Sequence, residues 1–184
     1  MAVTFPGTTI EVSTLKKGSS KQMFDGIFAA GGVTLSQVSI MTGLEYYLIQ
    51  NWVKRGFVSS PTKRLYSRQQ FARIVIINML RETLPIEKIS GLIHIIGGDP
   101  QDRSDDLILD DELYHRYVDM VSDVNINPQD SSSVHTAAEA AAEDFEENLP
   151  NTKKQLIAIL EAMFYAHSAS VLIKKSEEKL ATIK

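Results

Sequence analysis

The sequence contains no cysteine among its 184 residues. This absence excludes a disulfide framework, a thiolate zinc site, a catalytic cysteine and a cysteine redox sensor. It does not by itself identify a cellular compartment, so that inference depends on the apolar segments and the N-terminus.

A long, uninterrupted apolar run is also missing. The most apolar segment, residues 156–173, is broken by Glu161 and His167, and it therefore predicts a buried helix rather than a membrane span. The first ten residues, MAVTFPGTTI, lack the basic lead and apolar stretch of a signal peptide. We expect a cytoplasmic protein that does not associate with membranes.

Motifs for catalysis are absent as well. The sequence has no Gly-x-Ser-x-Gly elbow, no phosphate-binding glycine loop and no evident pair of catalytic carboxylates, so we expect no enzymatic activity and no cofactor. Asp111, His115 and Asp119 share one face of a predicted helix and have side chains that can hold a divalent metal. Polar residues on a solvated helix face are the simpler interpretation, and we predict no metal site.

Charge is divided unevenly along the chain. Up to Ile96 there are 11 cations and 5 anions, and after Ile96 there are 8 cations and 18 anions. The front half therefore carries +6 and the rear half −10. A basic front half favours a polyanionic partner, although chance clustering on a solvated face would give the same count.

Apolar spacing in the front half predicts short helices and a hairpin. Residues 34–43, with Thr34 or Ser36 as the N-cap, and residues 44–56 form two helical patterns separated at Gly43, which predicts a helix-turn-helix with Trp52 in its core. Residues 57–66 predict two short strands around a proline turn. Two more helices follow, the first capped by Ser67 and ending near Leu84, the second opening at Pro85 and running to Ile96.

Helical patterns also dominate the rear half, over residues 109–124, 134–149 and 153–180. The fold class we predict is mainly α: a winged helix-turn-helix domain with a small β-hairpin wing, followed by a helical C-terminal domain. The predicted organisation is an N-terminal extension of residues 1–30, the winged domain over 31–97 and a helical dimerisation or effector domain over 98–184. The polar segment 99–106 marks the predicted boundary.

From Val33 to Ile96 the chain resembles the DNA-binding domain of the MerR regulators. Gly43 falls on the turn glycine of that domain, Gly56 on the glycine that ends its second helix, and Phe57-Val58 on the apolar pair that begins its wing. Arg64-Leu65-Tyr66-Ser67 is similar to its Arg-x-Tyr-Ser segment. Gln50 stands where the family usually has an arginine. The whole chain looks most similar to an uncharacterised bacterial family that joins a MerR-like front to a helical rear.

The resemblance implies a sequence-specific, double-stranded DNA-binding transcription regulator. Its recognition helix, residues 45–55, would enter the major groove, and its wing, residues 57–66, would lie on the backbone. Amide side chains can bond adenine, and wing cations release counterions from phosphates. Alternatively, Arg64 pairs with Glu45 or covers Tyr66. The predicted DNA-binding residues are Tyr46, Tyr47, Gln50, Asn51, Lys54, Arg55, Thr62, Lys63 and Arg64.

Two copies would give the affinity that one such unit lacks, so we predict a homodimer through the last helix, with help from residues 108–124. A small-molecule effector, in a pocket around Phe164, Tyr165 and His167, is left open. A protein-interaction module, acting as a scaffold or antirepressor without strong DNA binding, is the alternative function. Salt dependence and the effect of Lys63 and Arg64 distinguish the two functions.

Overall fold

The structure, a computed structural model, describes residues 2–97, 107–122, 126–147 and 150–183. The predicted mainly α fold is confirmed. The predicted boundary segment 99–106 lies outside the described residues. The described residues contain eight helices: α1 Ser19–Ile27, α2 Leu35–Thr42, α3 Tyr46–Lys54, α4 Arg68–Leu80, α5 Ile86–Gly97, α6 Asp110–Val121, α7 Ser131–Ala141 and α8 Thr152–Ala181. Two antiparallel sheets of two strands each accompany them: β1 Val3–Thr4 with β2 Glu11–Val12, and β3 Val33–Thr34 with β4 Leu65–Tyr66.

Helix α4 lies at the centre of the fold. Ten of its thirteen residues are buried, including polar Gln70 and charged Arg73, so it is enclosed on every side rather than on one predicted face. Helices α2, α6 and α8 pack against it. It ends at Leu80, four residues earlier than predicted, and a turn over residues 81–84 leads to Pro85 and α5. The cover that buries these residues comes from both halves of the chain.

The first residues of the chain are part of the core, which the sequence did not predict. Buried Phe5 and Pro6 precede Gly7, whose φ of +73° lies in the left-handed region. A Cβ at Gly7 would collide with the carbonyl oxygen of Val75 in α4, so only glycine fits this approach. The hydroxyl of buried Tyr114, in α6, donates to the Pro6 carbonyl at 2.8 Å. The N-terminal segment thus links α4 to α6.

Helix α6 is enclosed by the rest of the chain, which bears on the predicted dimer. Leu113, Tyr114, Tyr117 and Val118 have no exposed surface, and α6 packs against α1, α4, α7 and α8. The core-facing residues of the described part of 108–124 are therefore occupied inside the protomer. On α8, Leu156, Leu160, Met163 and Phe164 pack into the same core, whereas Val171 is 38% exposed.

A polar cluster joins α1, α4 and α6. The Arg68 guanidinium donates to Asp111 at 2.7 Å, to Asp25 at 2.6 Å and to His115 Nε2 at 3.1 Å, while His115 Nδ1 lies 3.0 Å from the Ser20 hydroxyl. Asp119 accepts from the Gly18 amide at 2.8 Å. Burial lowers the pKa of His115, with Arg68 adding to the effect. The described residues contain no group of three or more side chains suited to a metal, and Asp111, His115 and Asp119 instead tie the helices together.

Helix α8 is long and apolar enough, by length and composition alone, to cross a membrane. Of its most apolar stretch, 39% is buried inside the fold. Buried core helices of soluble proteins have the same length and composition, so this property alone decides nothing about the surroundings of α8.

His135 of α7 pairs with Glu161 of α8. This pair, which we call the histidine pair, should make the stability of the fold depend on pH. His135 Nδ1 lies 2.6 Å from Glu161, and Nε2 lies 3.4 Å from Glu139. The Glu161 hydrogen bond raises the pKa of His135. The pair therefore stabilises the fold fully below the ordinary pKa of about 6.5, and the effect disappears as pH rises through the raised value.

We expect the difference in Tm between wild type and His135→Gln to be largest near pH 5.5 and to shrink by about pH 8.5. Thermal unfolding followed by circular dichroism across this range measures it. A difference that stays constant or grows with pH would show that the histidine pair does not hold α7.

Candidate nucleic-acid interface

Helices α2 and α3 form the predicted helix-turn-helix, and local sequence defines both ends of α2. The Thr34 side chain accepts from the Gln37 amide at 3.3 Å, while the Gln37 side chain accepts from the Thr34 amide at 2.8 Å, a reciprocal capping box. At the other end Gly43 has a φ of +69°, the left-handed conformation that ends many helices. The predicted Thr34 cap and Gly43 turn are confirmed.

Thr9 buttresses this turn from the N-terminal segment. Its amide donates to the Met41 carbonyl at 2.8 Å, and its hydroxyl donates to the Ile40 carbonyl at 2.7 Å. Asn78 of α4 donates to the carbonyls of Thr42 and Gly7 at 2.9 and 3.0 Å. The last carbonyls of α2 are thus satisfied by distant residues, which fixes the turn in place. No local pattern in the sequence predicts these contacts.

Helix α3 presents a polar face to solvent. Its inner side holds Ile49 and Trp52, which are 0% and 5% exposed, so the predicted core position of Trp52 is confirmed. Its outer side carries Tyr46, Tyr47, Gln50, Asn51 and Lys54, all exposed. Residues 47, 50, 51 and 54 are spaced by three and four, so their side chains share one face. These are the groups that a helix in the major groove needs.

Arg55 ends α3 and is partly held in place. Its guanidinium carbon lies 4.7 Å from the centre of the Phe57 ring, within the range of a cation–π contact. The Phe57 amide in turn donates to the Trp52 carbonyl at 2.9 Å. The contact orients Arg55 without neutralising its charge.

The wing is smaller than predicted and pairs differently. Instead of a hairpin between residues 57–58 and 65–66, strand β4 pairs with β3, which precedes α2. Within the wing, Thr62 and Leu65 exchange two backbone hydrogen bonds of 3.1 and 2.9 Å, closing a two-residue turn over Lys63 and Arg64. Both turn residues have positive φ, 51° and 66°. This is the pattern of a type I′ hairpin turn, which normally takes Asn-Gly.

Gln70 holds the first arm of the wing. Its side chain is 8% exposed and completes the capping box of Ser67 by accepting from the Ser67 amide at 2.8 Å. The same amide group donates to the carbonyls of Ser59 and Ser60 at 2.9 and 3.0 Å. The Ser-x-x-Gln spacing predicts the cap but not the reach across to the wing. Gln70 is therefore a positioning residue that the sequence analysis missed.

The structure separates two groups of cations. Arg68, Arg73 and Arg116 are paired with carboxylates of the rear half at 2.6–2.9 Å. Within the described residues no salt bridge reaches the cations of α3 and the turn, which are Lys54, Arg55, Lys63 and Arg64. In particular, Arg64 does not pair with Glu45. These four cations lie together on α3 and the turn, while Lys16, Lys17, Lys21, Arg81 and Lys88 elsewhere in the front half also lack a salt bridge within the described residues.

All nine predicted DNA-binding residues are exposed. Six residues lie between Arg55 and Thr62, and the seven Cα steps that join them span at most about 25 Å, less than one helical turn of duplex DNA at about 34 Å. One duplex could therefore contact both elements. We call the exposed face of α3 together with the 62–65 turn the basic face.

The predicted effector pocket does not gather its three residues. Phe164 is buried, and His167 receives or donates a 2.7 Å hydrogen bond with Tyr117, while Tyr165 is 41% exposed. Burial lowers the pKa of His167 to about 4. A groove of about 690 Å³ lies elsewhere, between α1, α6 and α7, where Arg68 and Arg116 are already paired with lining carboxylates.

Gln70→Glu should test the wing support. A carboxylate keeps an acceptor for the Ser67 amide but faces the Ser59 and Ser60 carbonyls without a proton to donate. We expect the free energy of unfolding to fall by about 1–3 kcal/mol in urea titrations. Gln37→Glu is the matched control, because Gln37 holds the same capping-box position on exposed α2 and should change stability little. Equal effects at both positions would remove the special role of Gln70.

Comparison with known proteins gives a partial match. No curated protein and no solved structure matches the chain, and no MerR-like or other helix-turn-helix family is assigned to it. The matched region begins just before β3 and ends within α6, so it contains the whole basic face and α4. Residues 32–117 match the family described as a domain of unknown function, DUF1836.

Proposed function

We propose that the protein is a cytoplasmic transcription regulator that binds double-stranded DNA through the basic face. The observation that carries the proposal is the separation of the cations: those of α4 and α6 are paired within the protein, whereas no salt bridge among the described residues reaches those of α3 and the turn. Exposed cations without internal partners gain free energy by releasing counterions from a nucleic-acid backbone.

In this proposal α3 enters the major groove. Gln50 and Asn51 are exposed amides of the kind that bond adenine bidentately, and Lys54 follows one turn later to meet a phosphate. Tyr46 and Tyr47, 49% and 66% exposed, contribute hydroxyl groups for the backbone. Base contacts then give specificity, and the surrounding cations give affinity.

The 62–65 turn supports the same function through its backbone. A type I′ turn favours Asn-Gly, whereas Lys63 and Arg64 each carry a strain of about 1 kcal/mol or more in the left-handed region. Strain of this kind is typical of functional sites, and two cations at the tip of a wing suit contact with phosphates. The acidic rear half would meanwhile be repelled by DNA, which confines contact to the basic face.

The alternative is a protein-interaction module, and two exposed apolar side chains favour it. Ile40 is 71% exposed and Tyr47 is 66% exposed, on neighbouring helices of the helix-turn-helix. An exposed isoleucine contributes nothing to a phosphate contact, whereas it suits a protein surface. DNA binding remains the stronger proposal because the cations of the basic face are the larger unexplained feature.

Replacing the turn by Lys63→Asn/Arg64→Gly should separate stability from binding. Asn-Gly relieves the backbone strain, so we expect the free energy of unfolding to rise by about 1 kcal/mol. Loss of two phosphate contacts should weaken DNA binding roughly tenfold and reduce the slope of log K against log salt by about 2. Urea titration and fluorescence anisotropy with the protein's own upstream duplex measure the two effects.

The control exchanges the charges without removing them. Lys63→Arg/Arg64→Lys keeps both cations and the strained turn, so its affinity and salt slope should match wild type. If the Asn-Gly variant binds DNA as tightly as wild type, or if wild type fails to bind at low salt, the basic face is not a DNA-binding surface and a protein partner becomes the better proposal.

Specific reading of bases gives a second prediction. Asn51→Ala should reduce the preference for the upstream duplex over a scrambled duplex by about 1–3 kcal/mol, while its salt slope stays close to wild type. Lys54→Ala should weaken both duplexes alike. Anisotropy titrations of both variants against both duplexes distinguish a base contact from a phosphate contact, and equal losses for Asn51→Ala on both would contradict base reading.

A further inference from the structure

The C-terminal part of α8 leaves the body of the protein. Buried positions end at Ser170, and every residue from 171 to 183 is exposed. A surface ion pair, Lys174 with Glu82 at 3.2 Å, joins the first turn of this segment to the body. Helical segments this short are marginal in water on their own, and within the described residues this ion pair is the one salt bridge that joins the segment, which we call the α8 overhang, to the body.

One face of α8 is apolar along its whole length yet lies outside the core. The face repeats at intervals of three and four residues, the spacing of a coiled-coil seam. Every member is exposed, with Leu172, Leu180 and Ile183 at 61%, 63% and 74%. The members of this α8 seam are Ala158, Ala162, Tyr165, Ala169, Leu172, Ser176 and Leu180, and Ile183 follows two residues after the helix ends.

The α8 seam is small at one end and large at the other. Its N-terminal half, beside the body, contains three alanines, and its C-terminal half, on the overhang, contains two leucines and an isoleucine. There are two exceptions: Tyr165 is a large residue in the small half, and Ser176 is a small residue in the large half. A second copy running antiparallel would therefore oppose large residues to small ones along the seam.

We propose that the α8 seam binds the α8 seam of a second copy in antiparallel orientation. With the two-fold axis between residues 170 and 171, Ala162 lies within one residue step of Leu180 of the second copy, and Ala158 is level with Ile183, which follows the end of the helix. Tyr165 then faces Ser176, and Ala169 faces Leu172. Each layer joins one small and one large side chain, which fills the space between the helices evenly.

A parallel pair would fit poorly. It would set each alanine against the same alanine and leave gaps, while Leu172 and Leu180 would each meet a copy of themselves. The alternation of gap and crowding along the seam would prevent uniform packing. Size complementarity therefore selects the antiparallel orientation.

Charge beside the α8 seam agrees with this register. Glu161 and Lys179 lie on the same flank of α8, and the antiparallel register brings Glu161 of one copy beside Lys179 of the other, twice in the dimer. One oxygen of Glu161 accepts a contact from His135, which leaves the other oxygen for the lysine. In a parallel pair, Glu161 of one copy and Lys179 of the other would lie 18 residue steps apart, about 27 Å along the axis, and no such bridge would form.

The dimer also supplies the missing support. The overhang of each copy would lie along the half of α8 that the partner's body holds in place. The core of each protomer stays on the far side of α8, where the buried residues such as Leu160 and Met163 already pack. The seam thus lies on the opposite side of α8 from the residues that pack into the core.

Sedimentation and light scattering of the purified chain, without DNA, test the proposal. We expect a dimer mass at micromolar concentration. Leu172→Lys should weaken the dimer at least about tenfold, because it places an unpaired charge in the seam. Glu178→Gln changes the net charge by the same amount on the opposite face of the overhang and should leave the mass unchanged. Both positions are exposed, so folding, checked by circular dichroism, should be retained in both variants.

Orientation has a separate test that uses the absence of native cysteine. A spin label at Thr182→Cys should report a separation of about 35 Å in the antiparallel dimer, since 23 residue steps of about 1.5 Å separate the two sites along the axis. A parallel dimer would give about 10–20 Å. A short distance overturns the orientation.

Two other results overturn the proposal as a whole. A monomer at all concentrations, or a dimer that Leu172→Lys leaves intact, would show that the seam does not join two copies. A monomer that pellets with phosphatidylcholine vesicles would assign the seam to a membrane. These results are independent of the DNA titrations, because a monomer can still bind a single half-site and a dimer can fail to bind DNA.

Discussion

Burial of α4 on all sides is the constraint on which the rest of the structure depends. Ten of its thirteen residues are buried, because the helix-turn-helix, the N-terminal segment and the rear helices all pack around it. The hydrophobic core is accordingly one cluster that extends from Phe5 to Ala166. The two halves of the chain differ in charge, but they share this one apolar centre.

The first turn of α4 connects this core to both polar regions of the protein. Arg68 turns towards the rear half and joins Asp25, Asp111 and His115, whereas Gln70 turns towards the front and holds Ser59 and Ser60. Two residues of one helical turn therefore support the rear bundle and the wing. The wing, which is part of the basic face, is therefore connected to the rear helices through the first turn of α4.

What could be predicted from the sequence was local. The Thr34 and Ser67 caps, the Gly43 turn and the buried Trp52 depend on residues within a few positions of one another, and all four are confirmed. Contacts between distant residues were missed: the β3–β4 pairing, Thr9 on the end of α2, and the reach of Gln70 to the wing. Strand pairing and side-chain contacts of this kind are selected by the assembled core, and no periodicity in the sequence records them. All nine predicted site residues are exposed, as expected. The left-handed backbone at Lys63 and Arg64 was not predicted from the sequence, because neither residue type favours that conformation.

The hydrogen bond from Tyr114 to the Pro6 carbonyl has a consequence for the order in which the chain is made. Its two partners are 108 positions apart. At ordinary rates of translation of about 5–20 residues per second, Pro6 leaves the ribosome roughly 5–20 s before Tyr114 does. During that interval α4, which the N-terminal segment and α6 both cover, has only part of its final surroundings. The helix-turn-helix is complete in sequence early in synthesis, but its rigid form waits for a residue that is translated much later. A nascent chain therefore has no finished basic face until more than half of the protein has emerged.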